Sequence, residues 1–181
     1  DPLITGAQLV QAIQTISSRN LSALEKVVIS ITQFHSGTTH NIIPNDALIN
    51  GTVRTLSKEA QLLIVKRLKE LCKGYSRGFG GKIKLEYNYG YPPTVNHQRE
   101  TKFAAEVAKE IVGVQNVDMN AKPIMASEDF SYMIEKRPGC YFHVGQGVGA
   151  AVHNPKYDFN DELSPIGASF FVKLVENANP F

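Results

Sequence analysis

KIKLEYNY, residues 82–89, alternates without a break: Lys82, Lys84, Glu86 and Asn88 fall on one face, Ile83, Leu85, Tyr87 and Tyr89 on the other. A period of two with one charged and one apolar face marks an antiparallel strand that covers a core and meets water on its other side. Before it, Gly78, Gly80 and Gly81 end a long helix that Ser57 caps, with Ile64, Leu68, Leu71, Cys72 and Tyr75 along one face. ALINGTVRTL (47–56) and the β-branched KVVISITQF (26–34) read as two strands, separated by the turn-rich HSGTTHNIIPND (35–46). Asp1-Pro2 suits an N-cap followed by a first-turn proline, and Leu9, Ala12, Ile13 and Ile16 recur at helical spacing over 2–19. Residues 1–90 thus run helix, strand, strand, helix, strand. One strand placed in front completes the βαββαβ split motif of ferredoxin-like domains. That strand is expected before residue 1, so the chain reads as a piece of something longer.

Towards the C-terminus, GYPPTVNH (90–97) is the boundary candidate, with two prolines in an otherwise structured stretch. A helix is expected over about 98–113 with Phe103, Val107 and Ile111 inward, then a strand and loop in VQNVDMNAKPIM. SEDFSYMIE reads as a short helix capped by Ser127, with Glu128 and Asp129 in its first turn. CYFHVGQG reads as a buried strand running into glycines, and a last helix from near Asp161 buries Ile166, Phe170, Phe171, Leu174 and Val175. This half alternates helix and strand as an α/β layer does, with few strands for a central sheet.

Nineteen basic residues face seventeen acidic ones, a formal charge of +2 without any basic block, which argues against a nucleic-acid or membrane partner. No apolar run approaches the ~18 residues of a membrane span. Cys72 and Cys140 are too few for a disulfide framework or a zinc knuckle and read as buried thiols.

In GAAVHNPKYDFNDE (149–162), His153 stands before Asn-Pro, whose proline restricts the backbone ahead of it. Neutral imidazole is a common metal ligand, but no HExxH, CxxC or second histidine lies nearby, so the local sequence favours a structural or exposed histidine. His35 and His40 flank SGTT and read as turn polar groups, His143 as a core histidine, and His97 as exposed. Asn41, before the stiff Ile-Ile-Pro, and Arg54, inside a strand, could converge on a carboxylate if loop and strand run side by side. A turn asparagine and a surface arginine are the alternative. Glu128 and Asp129 could form an acid/base pair, though helix-dipole partners are the simpler reading.

Three segments, FHSGTTHNIIPNDALINGTVRT, MASEDFSYM, and YFHVGQG followed by VHNPKYDFNDE, together resemble the C-terminal half of a metal-dependent amidohydrolase family. That family includes hippurate hydrolases, indole-acetyl-amino-acid hydrolases and N-acyl-amino-acid amidohydrolases, with carboxypeptidase G and succinyl-diaminopimelate desuccinylase as more distant relatives. The resemblance runs over essentially the whole chain. It implies an α+β and α/β fold in two domains. Residues 1–91 match a ferredoxin-like lid (dimerisation) domain lacking its first strand. Residues 92–181 match the C-terminal part of a zinc-peptidase-like α/β catalytic domain.

The resemblance further implies that Asn41 and Arg54 bind the substrate's carboxylate and that His153 ligates one of two divalent ions, zinc or manganese. The remaining ligands and the general-base Glu are expected upstream, so the chain alone is expected to be inactive. Its parent would cleave N-acyl amino acids as a homodimer joined through the lid, in the cytoplasm. Two rivals stand beside this: a non-catalytic dimerisation module, and a metal-independent hydrolase using Glu128 and His153.

Overall fold

The computed structural model of the chain describes residues 1–179. Its regular elements are α1 (Pro2–Thr15), β1 (Val27–Ser36), β2 (Ala47–Thr55), α2 (Lys58–Phe79), α3 (Gln98–Val112), α4 (Phe130–Ile134) and α5 (Leu163–Ala178). Helix and strand are mixed, and the chain divides into two compact units. One is Asp1–Pro93 with Met125–Ser127, the other Thr94–Ile124 with the residues from Glu128 onward. The break at Pro93 lies inside GYPPTVNH.

In the first unit, α1 starts as its sequence dictates: Asp1 Oδ1 accepts from the N–H groups of Leu3 and Ile4 at 2.9 and 3.3 Å, and Pro2 takes the first turn. The helix does not continue regularly to residue 19. Residues Ile16–Asn20 widen into a π turn, where the Ser17 and Ser18 hydroxyls both bond back to the Gln14 carbonyl. Such bonds compete with the backbone ladder and loosen it. Gly6 brings α1 close to the hairpin, since a Cβ there would stand 2.7 Å from the Phe34 ring.

β1 and β2 pair antiparallel from Val27↔Thr55 to Ser36↔Ala47, with a register shift between Ile31 and Gln33. Next to that bulge, a Cβ on Gly51 would lie 2.4 Å from the Ser30 carbonyl oxygen, so only glycine lets the strands approach there. α2 opens on Ser57, whose Oγ accepts from the Ala60 N–H at 3.1 Å, and ends on Gly80 at φ +67°. Ile64, Leu68 and Cys72 from α2 meet Leu9 and Ile13 from α1, Ile16 from the π turn and Ile29 from β1 in one core. Each fully buried isoleucine contributes about 1.5–3 kcal/mol.

Residues 82–88 show the expected alternation, while Tyr89, expected inward, is exposed; among the described residues the segment joins no ladder, and the sheet holds β1 and β2. Ile83, Leu85 and Tyr87 pack on the core that Ile49 and Val53 of β2 also reach, while Lys84 pairs with Glu86 outside. The side-chain period follows the core the segment covers. The ladder does not form because no neighbouring strand is beside it.

In the second unit, α3 packs on α5 through a narrow stripe, with Ala104, Val107 and Phe170 buried and Ala108, Ile111 and Leu174 beside them. Phe103 is half exposed, because α3 faces one helix and the stripe is centred a residue further on. Phe171 and Val175, expected inward, are 62% and 59% exposed, because α3 and Phe142 cover the side of α5 marked by Phe170 and Leu174. Residues 140–147 are neither buried nor hydrogen-bonded as a strand. Phe142 packs on Phe170 with ring centroids 4.6 Å apart and the planes tilted, and His143, expected in the core, is exposed with its ring edge-on to Tyr141. The run 114–125 expected to hold a strand has only a 3₁₀ turn, Val114–Asn116. No helix among the described residues is long and apolar enough to cross a membrane.

Candidate functional site

His153 has φ +68°, the one described non-glycine residue in the left-handed region. That conformation costs a side-chain-bearing residue roughly 1–2 kcal/mol, and such strain concentrates where function requires it. Its local cause is two consecutive turns. The Asn154 N–H bonds the Ala151 carbonyl at 3.1 Å, closing a four-residue turn with His153 in its third position. Asn154 then starts a second turn: its own carbonyl accepts from the Tyr157 N–H at 2.9 Å and its Oδ1 from the Lys156 N–H at 2.9 Å. Pro155, with φ preset, sits second in that turn. Tyr157 Oη donates to Gln146 Oε1 at 3.2 Å, tying the turns to the 140–147 segment. An open cleft of about 550 Å³ lies alongside, lined by Val144, Gln146, Val152, Tyr157 and Phe159. His153 is exposed.

Asn41 lies in the connection between β1 and β2, which Ser36 closes at its base by donating from Oγ to the Asp46 carbonyl at 2.8 Å. Gly37 turns the chain there with φ +73°. Asn41 Oδ1 accepts from Thr39 Oγ1 at 3.2 Å, which occupies the acceptor end of the amide and leaves the donor end for an anion. The loop and the start of α1 enclose an open pocket that includes Asn41, His40, Thr38 and Leu3. Arg54 is exposed on β2 opposite Val28, and among the described residues it makes no ion pair.

The hairpin does not bring these two together. The loop joins at Ala47, and Arg54 follows seven positions along β2, about 23 Å away at the rise of a strand. Side-by-side convergence on one small carboxylate is not what a single hairpin provides. His35 proves to be a strand residue opposite Leu48, and His40 is an exposed loop residue.

A second cluster surrounds Glu128. Tyr141 Oη donates to Glu128 Oε2 at 2.9 Å and the Phe130 N–H to Oε1 at 3.3 Å. These bonds, the tyrosine's first, hold the Glu128 carboxyl below its usual range, and the same bond pushes the Tyr141 phenol up. A general acid needs the opposite shift, so Glu128 is better read as a fixed anion than as half of a split acid/base pair. The Ser127 cap is not formed: α4 starts from Asp129 without a side-chain cap bond, and Ser131 Oγ bonds the Glu128 carbonyl at 2.6 Å. Asn96 clasps Tyr141 from both sides, accepting from its N–H at 2.8 Å and donating to its carbonyl at 2.7 Å. His97 Nδ1 accepts from the Gly139 N–H at 3.2 Å. His97 is exposed as the sequence suggests, but its bond and the Asn96 clasp cross more than forty residues and follow no local pattern.

Among the described residues, no three His, Cys, Asp or Glu side chains gather closely enough to hold a metal ion. His153 therefore fits a metal as one imidazole donor, not as a complete site. Cys72 is buried, and burial raises its thiol, which removes it as a reactive or ligating group. Cys140 is only partly buried.

Residues 5–177 match the model of peptidase family M20/M25/M40. Hippurate hydrolase of Campylobacter jejuni is 37% identical over 174 residues, 96% of this chain and 45% of the relative. N-acetyldiaminopimelate deacetylase of Streptococcus sanguinis is 33% identical over 97% of the chain and 46% of the relative. N-acetylcysteine deacetylase of Bacillus subtilis is 30% identical over 96% and 45%. The chain thus spans less than half the length of these curated relatives.

Among solved structures, a protein of methicillin-resistant Staphylococcus aureus described as an aminohydrolase superposes with a TM-score of 0.83 at 31% identity, over 98% of this chain and 46% of that one. A Bacillus subtilis protein described as a dinuclear metal-binding peptidase of the M20 family superposes at 0.81 with 26% identity and the same coverage. With the family model matching nearly its whole length, the chain belongs to peptidase family M20/M25/M40.

Proposed function

We propose that the full-length protein is a metal-dependent amidohydrolase that cleaves the amide bond of N-acyl amino acids, consuming one water and releasing a carboxylic acid and an amino acid. The observation that carries this reading is the set of relatives aligned over 96–97% of the chain, each named for hydrolysis of an acylated amino acid or for deacetylation of one. A pair of divalent ions, zinc or manganese, when bound polarises the acyl carbonyl and makes water acidic enough to attack near neutral pH. His153 holds one of those ions through its neutral imidazole. Asn41 offers its amide N–H groups and Arg54 its guanidinium to substrate carboxylate, each from its own end of the hairpin and not jointly on one group within a single copy. The general-base glutamate and the other ligands belong to the part of the family's length this chain does not span.

On this reading residues 1–91 are a ferredoxin-like lid through which two copies pair, and residues 92–181 are the C-terminal part of the catalytic domain. Support for the lid comes from its element order and from the way 82–89 and β2 share a core without pairing: a strand between them completes a four-stranded sheet. The test compares the 181-residue chain with the full-length protein for bound divalent metal and for hydrolysis of N-acyl amino acids. Metal and chelator-sensitive activity in the full-length protein, with neither in the chain, is the expected result. Activity in the chain itself overturns the division of the site, and activity that survives chelation favours a metal-independent hydrolase instead.

A further inference from the structure

We propose that Asn154 is a positioning residue: by joining two consecutive turns it fixes the left-handed backbone from which His153 presents its imidazole to a divalent ion. The inference rests on the reading of His153 as a metal ligand. It begins from an anomaly that reading leaves unexplained. The third position of a turn with positive φ ordinarily takes glycine or asparagine, and here it holds histidine. A histidine needed only for solubility or local polarity gains nothing from that position. One needed for direction does, because the left-handed backbone points the side chain where an α or extended backbone would not.

Asn154 makes three of the bonds that hold this arrangement. Its N–H closes the first turn on Ala151, its carbonyl closes the second on Tyr157, and its Oδ1 takes the Lys156 N–H. Pro155 fixes the bend between the last two. The two backbone bonds survive replacement of the side chain, whereas the Oδ1 bond does not. An aspartate at 154 keeps an acceptor oxygen in the same place, and alanine removes it. The ligand is thus set in place before the metal arrives, and the cost of ordering it is met during folding. Residues that orient a metal ligand commonly change metal affinity by about 10–100-fold when removed.

The experiment uses the full-length protein, with Co²⁺ as the metal probe, and measures affinity and the visible absorption of the bound ion. Asn154→Ala is expected to weaken Co²⁺ binding about 10-fold or more and to shift the spectrum, while Asn154→Asp restores both. Unchanged affinity and spectrum in N154A, or failure of N154D to restore them, overturns the positioning role. His153→Ala separates the two layers. If it leaves the Co²⁺ stoichiometry and spectrum intact, the ligand reading itself falls, whatever Asn154 does. A second measurement holds even if N154A does not fold. The metal-free melting temperature of His153→Gly is expected to exceed that of His153→Ala by a degree or more, since glycine alone occupies this backbone without strain. Equal melting temperatures overturn the claim that position 153 is held left-handed.

Discussion

Asn41 and Arg54 show what residue types can and cannot convey. Their chemistry, an amide and a guanidinium that makes no ion pair among the described residues, suits an anionic substrate, and both identities were readable from NIIP and GTVR. Their separation was not, because it depends on the pairing register, which places Arg54 near the end of the hairpin remote from the loop. Two residues that grip one carboxylate are energetically coupled, whereas residues farther apart than about 10 Å act independently. If the full-length protein hydrolyses N-acyl amino acids as proposed, Asn41→Ala and Arg54→Ala should therefore each raise its KM for carboxylate-bearing substrates, by about 10-fold or more for the charged partner. The double variant should show the product of the two effects, to within about 0.5 kcal/mol. A double variant no worse than Arg54→Ala would mean that both side chains serve the same carboxylate from one hairpin. His153 is the opposite case: its identity and the rigid Asn-Pro after it were legible, but a positive φ leaves no mark on a histidine's own letter.

Elements were legible where one turn of chain decides them. Ser57 and Gly80 bracket α2, Asp1-Pro2 opens α1, and all three follow from local capping chemistry. The two apparent strands 82–89 and 140–147 carried the right composition, yet a strand is a relation between two segments, and neither has a partner among the described residues. Exposed Phe171 and Val175 on α5 have the same origin: helical spacing reports an apolar stripe, not how many neighbours cover it. The hairpin offers the sharpest test at this scale. Gly51 sits where β1 bulges, and an added methyl group meets a backbone oxygen that cannot swing away. Gly51→Ala should destabilise the first unit by about 1–3 kcal/mol, read as a lower urea midpoint with an unchanged slope. Gly74→Ala, a helical glycine with nothing near its Cβ, should instead be neutral or stabilising.

At the scale of the whole molecule, each unit has a core of its own, one built from α1, β1, β2 and α2 and the other from α3 and α5. The family match runs through both, over residues 5–177, so neither core alone carries it. The unpaired flank of β2 has a further consequence for how the chain behaves in a test tube. Backbone N–H and C=O groups left open along a strand act as a template for any extended segment of matching period, including 82–89 of another copy. Turbidity and light scattering of the 181-residue chain should thus rise steeply with concentration, with a lag that seeding shortens, while the full-length protein stays clear. A synthetic peptide of alternating apolar and polar residues, added in excess, should cap the growing ends and lengthen that lag. Purification yield would then be governed less by folding than by how long each chain waits beside its neighbours.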